Sequence, residues 1–145
     1  MRLDFLVDIL RSPRAVFDVV GNLENDPKWQ SAVLHAAKLT DGPVDMGTRF
    51  RHLFQVAGHK MEVDYEFIDY AAPRQYALHC SWGRLSFRTS VLFEPIAKGT
   101  RDSGVIEGHV RGALNVALVA LSRRRRREIE ADLQNLKRLM ESRAL

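Results

Sequence analysis

The chain opens on an alternation: Leu3, Phe5, Val7 and Ile9 take turns with Arg2, Asp4, Leu6 and Asp8, the period of two that marks a half-buried strand. Ser12 then offers a side-chain oxygen to the free N–H groups of a helix start, and Pro13 presets φ at its first position. Gly21 stops that helix, whose packed face is Val16, Phe17 and Val20. A second start at Asp26-Pro27 leads to Trp29, a large apolar side chain placed to close the base of the structure. Two short helices after one strand predict a clamp across one end of a sheet.

Ser31 to Thr40 is ambiguous, but Val33, Ala37 and Leu39 lie on one side of any strand drawn there, and Asp41-Gly42-Pro43 ends it with a turn. From Gly47 onward the pattern is a meander of antiparallel strands. Phe50, His52, Phe54 and Val56 share one face, and after a turn at Gly58-His59 the set Met61, Val63, Tyr65 and Phe67 opposes Glu62, Asp64 and Glu66. Beyond Ala72-Pro73 come Tyr76, Leu78, Cys80 and Trp82, and beyond Gly83 come Leu85, Phe87, Thr89, Val91 and Phe93. Glu94-Pro95 to Gly99 closes a hairpin. The last strand has two parities, Asp102, Gly104, Ile106 and Gly108 inward or Arg101, Ser103, Val105, Glu107 and His109 inward. Glycines on the inner face would leave room for close approach of a backbone or a ligand.

Gly112 opens a helix that runs to about Ser142, some 30 residues and about 45 Å long. Leu114, Leu118, Leu121, Ile129, Leu133, Leu136 and Met140 form its apolar stripe, with a vacancy at position 125. From Ala113 to Leu121 the helix is apolar nearly all round, too short for a membrane span of about 20 residues but in need of cover on several sides.

Composition adjusts this picture in three places. A chain of 145 residues that is 46% hydrophobic supports one domain over 1–145, with one core or one core with a hole in it. Cys80 is the single cysteine, which excludes a disulfide framework and a thiolate cluster and fits a reducing, cytoplasmic setting; Asp4 and Asp8 make the N-terminus a strand and not a secretion signal. The net charge of +4 is local, because five of the 22 basic residues form the run Arg123 to Arg127. Consecutive helical residues advance about 100°, so this run points in every direction and does not make a nucleic-acid face. Arg125 falls in the vacancy of the stripe, where its head either reaches a pocket mouth or snorkels past it.

The order Ser12-Pro13-Arg14-Ala15-Val16-Phe17, Trp29 after Asp26-Pro27, Gly47-Thr48-Arg49-Phe50, Ala72-Pro73-Arg74, Phe93-Glu94-Pro95, Gly99-Thr100 and the Leu133 to Glu141 segment resembles the START-like, or SRPBCC, superfamily. Within it the chain is most similar to the branch labelled polyketide cyclase/dehydrase and lipid transport. The resemblance implies an α+β helix-grip (Bet v 1-like) fold: a curved seven-stranded antiparallel sheet around a long C-terminal helix, with two short helices after the first strand. It also implies a deep pocket for hydrophobic small molecules, in members that include cyclases, lipid carriers and hormone carriers. The chain departs from the common pattern at Asp102, where an apolar residue is usual, and in its arginine run.

The pocket expected between sheet and helix is lined by Phe50, His52, Phe54, Tyr65, Phe67, Tyr76, Trp82, Phe87 and Thr89 from the strands, and by Leu114, Leu118, Leu121 and Arg125 from the helix. His52 stands on an apolar parity, as a core histidine with one backbone or tyrosine bond or as an acid–base group. His35 resembles it more weakly, while His59, His79 and His109 fall on turns or outward positions. Asp102 is expected at the exposed start of its strand; pointing inward it would be the second catalytic candidate, a buried carboxylate that must be paired or titrate high. Cys80 has no base beside it in sequence, no two histidines lie at metal-ligand spacing, and neither a nucleophile elbow nor a phosphate loop is present, so no metal or cofactor is called for. Three functions fit: a monomeric or homodimeric binding or carrier protein for a lipid, aromatic or polyketide-like molecule; a polyketide cyclase or dehydratase in the same pocket; or a module that meets an anionic membrane surface or a protein through residues 114–127.

Overall fold

The computed structural model describes residues 1–83, 85–108 and 113–145, of which 113–121 by backbone alone. Strand β1 (Arg2–Ile9) leads into helix α1 (Pro13–Val20), one 3-10 turn (Leu23–Asn25) and helix α2 (Asp26–Trp29). Strands β2 (Val33–Lys38), β3 (Arg49–Val56), β4 (His59–Ala71), β5 (Gln75–Trp82), β6 (Leu85–Ile96) and β7 (Gly99–Gly108) follow, and helix α3 (Ala113–Glu141) ends the chain. All strand pairs are antiparallel in the order β1-β7-β6-β5-β4-β3-β2. The two short helices therefore carry the chain from one edge of the sheet to the other, while β2 to β7 form a meander and α3 packs across β1. This is the α+β helix-grip fold, Bet v 1-like, that the sequence pattern resembles.

Local chemistry explains the helix boundaries. Ser12 Oγ accepts from the Ala15 N–H at 3.2 Å, the cap expected ahead of Pro13. Gly21 is the C-cap of α1, its N–H donating to the Phe17 carbonyl, and a side chain has no room there: a Cβ would lie 2.7 Å from the Phe17 carbonyl oxygen and 3.2 Å from its ring. At its far end α3 is capped from β1 and its loop, with Arg11 donating to the carbonyls of Met140 at 2.8 Å and Leu145 at 3.2 Å. Lys137 donates to the Asp8 carbonyl at 2.6 Å, pinning the same face of the helix to the sheet edge.

One half of the grip is filled. Phe17 of α1 meets Phe93 edge-on at 5.2 Å between centroids, and Phe67 stands 5.3 Å from Tyr76 and 5.2 Å from Tyr70, with Leu133, Leu136 and Met140 of α3 closing over them. Val16, Phe17 and Val20 are buried, as is Trp29. The other half, between the outer ends of β3 to β6 and the middle of α3, is where space remains.

Four details differ from the sequence pattern. In β2 the buried residues are Val33 and Ala36, with Leu39 and His35 exposed, because a β-bulge between Val33 and His35 flips the parity midway. The β3–β4 turn is Ala57-Gly58, both at positive φ, so His59 already belongs to β4. Strand β6 continues through Pro95, since β5 begins at Gln75 beside Leu92 and only β7 pairs beyond it, leaving the proline side unpaired. In β7 the inward set is Asp102, Gly104 and Ile106, and Asp102 is only 1% exposed instead of lying at an open strand start. The partner strands explain this: Asp102 sits between Val7 of β1 and Phe93 of β6, well inside the sheet.

Candidate functional site

Two chambers lie between the sheet and α3. The inner one, about 110 Å³, is walled by Phe5, Leu23, Trp29, Tyr76, Asp102 and Leu133 among others. The outer one, about 240 Å³, is bounded by Phe54, Met61, Val63, Cys80, Trp82 and Phe87. Tyr65, Thr89, Ile106 and Arg125 line both, so the two chambers adjoin at these four residues, here called the neck.

Glycines shape the neck in an indirect way. A Cβ on Gly104 would lie 2.3 Å from Phe5 Cζ and one on Gly108 would lie 2.2 Å from Phe87 Cδ1, so cross-strand aromatic rings lie over both positions. The space that glycine leaves on β7 is taken by protein rings, and those rings then become chamber walls.

The outer chamber is apolar apart from its rim. Tyr65 faces Cys80 across the β4–β5 pair, and burial pushes the Cys80 thiol up to about 11. The thiolate is therefore not a neutral-pH nucleophile here. On the rim Arg125 reaches Glu128 at 3.3 Å and Arg124 reaches the same carboxylate at 3.3 Å. Arg125 thus occupies the vacancy of the apolar stripe and stands at the neck.

The inner chamber has a different chemistry. Asp26, the residue that the Asp-Pro pattern assigned to a helix start, turns inward from α2, and its Oδ2 lies 2.8 Å from His52 Nε2 of β3. Burial pushes the Asp26 carboxyl up from its usual range and the His52 hydrogen bond pulls it part of the way back. Burial alone lifts Asp102 to about 7. Tyr76, also on this wall, is raised well above the usual phenol value by burial, with Asp102 adding to the effect. Asp132 of α3 accepts from the Ser31 N–H at 3.1 Å and Asn135 donates to the Trp29 carbonyl at 3.1 Å, so the helix is locked to the end of α2. Among the described residues, Asp26 Oδ1, Asp102 Oδ1, Trp29 Nε1 and His52 Nδ1 are buried without a protein hydrogen-bond partner. Three of these four atoms belong to residues of the inner wall.

Of the residues singled out in the sequence, Phe54, Tyr65, Tyr76, Trp82, Phe87, Thr89, Arg125 and Asp102 line the chambers. Phe50, His52 and Phe67 do not: Phe50 and Phe67 pack edge-on at 6.1 Å in the filled core, and His52 lies behind Asp26 with the Tyr65 ring at 4.6 Å. Strand parity puts them on the right face, but the filled half of the grip begins between Phe54 and His52. The side chains of Leu114, Leu118 and Leu121, and His109, lie outside the described residues. Asp26, Trp29 and Asp132 are wall residues that periodicity did not single out for the site. The one signal for Asp26 was an acid beside Pro27 where Asn25 could have capped the helix instead.

The sequence from residue 3 to 141 matches the family model described as polyketide cyclase / dehydrase and lipid transport. The chain belongs to that family. Solved structures share the fold of this family member at low identity. A protein from Thermus thermophilus superposes with a TM-score of 0.78 at 15% identity, covering 95% of each chain. A START superfamily protein from Mycobacterium smegmatis gives 0.72 at 14% identity, over 98% of this chain and 95% of the other. The di-domain ARO/CYC protein BexL of the BE-7585A biosynthetic pathway gives 0.76 at 13% identity, with 97% of this chain covering 47% of the larger one. A comparison with curated proteins returned no match. Among the described residues of this family member, no helix is long and apolar enough to cross a membrane.

Proposed function

We propose that the chain binds a hydrophobic small molecule, a lipid, aromatic or polyketide-like compound, between the sheet and α3, as a carrier or binding protein. The observation that carries this reading is the paired chamber: an outer space of about 240 Å³ walled by Phe54, Met61, Trp82 and Phe87 that adjoins a smaller, polar-ended one at Tyr65, Thr89, Ile106 and Arg125. A dry engineered cavity of about 150 Å³ accepts benzene, so the outer chamber has room for a larger ring system or a folded chain. The apolar walls supply affinity and the few buried polar groups supply orientation.

A second reading, a cyclase or dehydratase, draws on Asp102. A carboxyl pushed to about 7 on the wall of a ligand chamber is suited to exchange a proton with substrate near neutrality. His52 would then act through Asp26, which it holds, and not by touching substrate. The surface-module reading rests on residues 114–127, most of whose side chains lie outside the described set.

Native mass spectrometry of protein purified from cells, followed by titration with a fluorescent fatty alcohol and a naphthalene-based dye, tests the binding reading. A co-purified apolar molecule, or saturable dye binding that Met61→Trp in the outer wall abolishes, is expected. Protein that is always empty and binds neither probe overturns it.

A further inference from the structure

The inner chamber states which head group it would accept. Its volume of about 110 Å³ is below the roughly 150 Å³ that holds a benzene ring, so a ligand body stays in the outer chamber and only a few heavy atoms pass the neck. The wall they meet offers two acceptor oxygens without protein partners, Asp26 Oδ1 and Asp102 Oδ1, and one donor without a partner, Trp29 Nε1. Of the neighbouring polar groups, Asp132 accepts from the Ser31 N–H and Arg125 donates to Glu128, while Tyr76 and Thr89 also line this wall. Asp26 is held in place by His52, so its free oxygen has a fixed position.

Each class of head group can be matched against this set. A hydrocarbon leaves all three atoms unsatisfied, and each buried group so stranded costs about 1–3 kcal/mol. A carboxylate would accept from Trp29 but would bring a charge beside two aspartates. An ammonium would satisfy the aspartates but has no lone pair for the indole N–H. A hydroxyl has one hydrogen and two lone pairs: it donates to Asp26, accepts from the Trp29 N–H, and accepts again from Asp102 in its protonated form.

On the reading of the chain as a hydrophobic-ligand binder, we infer that its ligand is an apolar alcohol or phenol whose hydroxyl enters the inner chamber between Asp26, Asp102 and Trp29. The discrimination is against anionic lipids such as free fatty acids. It follows from three side chains brought together by α2 and β7, and from the size of the space they enclose.

Isothermal titration of the purified protein near neutral pH with naphthylmethanol, methylnaphthalene, naphthoate and naphthylmethylammonium tests this. The alcohol is expected to bind about 10-fold or more tighter than the methyl compound and the carboxylate, and tighter than the ammonium. Trp29→Phe should lower affinity for the alcohol and leave that for the ammonium, and Asp102→Asn should narrow the gap between alcohol and naphthoate; circular dichroism checks that each variant is folded. If methylnaphthalene binds as tightly as the alcohol, or if naphthoate or the ammonium binds tightest, the head-group inference falls while the hydrophobic-binding reading stands. Binding of none of the four removes both.

Discussion

His52 and Asp26, 26 residues apart in sequence, share a 2.8 Å hydrogen bond between Nε2 and Oδ2 with side chains 1% and 8% exposed. The bond ties the central part of β3 to the start of α2, so the clamp over the sheet end is fastened by a buried polar contact as well as by Trp29 and the packing of α1. It also fixes one wall of the inner chamber. Removing one partner of a buried pair strands the other.

His52→Leu should therefore cost about 3 kcal/mol of stability by urea unfolding, while Asp26→Leu combined with His52→Leu should cost clearly less than the two single changes added. Additive costs in that cycle would show that the pair is not an energetic unit.

Asp102 makes stability depend on pH in a predictable direction. Its carboxyl is raised from 3.8 to about 7 in the folded protein, so the folded state holds the proton more tightly than the unfolded one. Stability then falls as pH rises between those two values and levels off above them, by up to about 4 kcal/mol at roughly 1.4 kcal/mol per unit. Asp102→Asn removes this slope. Relative to wild type, the variant should gain stability progressively from about pH 4 to about pH 7, measured as unfolding midpoints across that range. A stability difference that is the same at both ends contradicts burial as the cause.

At Gly104 the sheet has no room for a side chain. An added Cβ would meet Phe5 Cζ at 2.3 Å and the Ser90 carbonyl oxygen at 2.6 Å, and the second of these is backbone. Gly104→Ala should cost about 2 kcal/mol and lower the melting temperature by several degrees. A melting temperature equal to that of wild type would mean that the Phe5 ring does not lie over β7.

The neck offers a way to separate the chambers. Thr89 lines both, and it is half-buried on the inner face of β6 between Phe87 and Val91. Thr89→Phe should fill the neck, reducing affinity for naphthylmethanol about 10-fold or more and erasing the preference over methylnaphthalene, with little loss of stability. Unchanged head-group preference in a folded Thr89→Phe protein would place the ligand outside the inner chamber.

Much of this architecture was legible along the chain. The alternation of β1, the Ser12-Pro13 cap, the meander from β3 to β7 and the stripe of α3 appear where periodicity places them, because a half-buried strand and an amphipathic helix each need their own apolar spacing. The errors fall where one residue changes the phase: the bulge in β2 moved burial from Ala37 to Ala36, and the turn at Ala57-Gly58 came one residue early. Arg125 at the vacancy of the stripe was legible too, since helical spacing alone puts it four residues from Ile129.

The site was legible only as a face. Parity placed Phe50, His52, Phe54, Tyr65 and Phe67 together, but which of them border space depends on where α1 and α3 press down, and that is set by packing across more than a hundred residues of chain. Asp102 looked like a strand start because its charge favours water. Its position between Val7 and Phe93 buries it, and neither neighbour is close in sequence. Asp26 looked like a helix-start residue for the same kind of reason, until the fold brought His52 to it. The strands and helices could be read residue by residue, since backbone hydrogen bonding and apolar period act over a few positions. The polar end of the chamber came only from packing, because a buried carboxylate is defined by what surrounds it, and its surroundings are drawn from three separate parts of the chain.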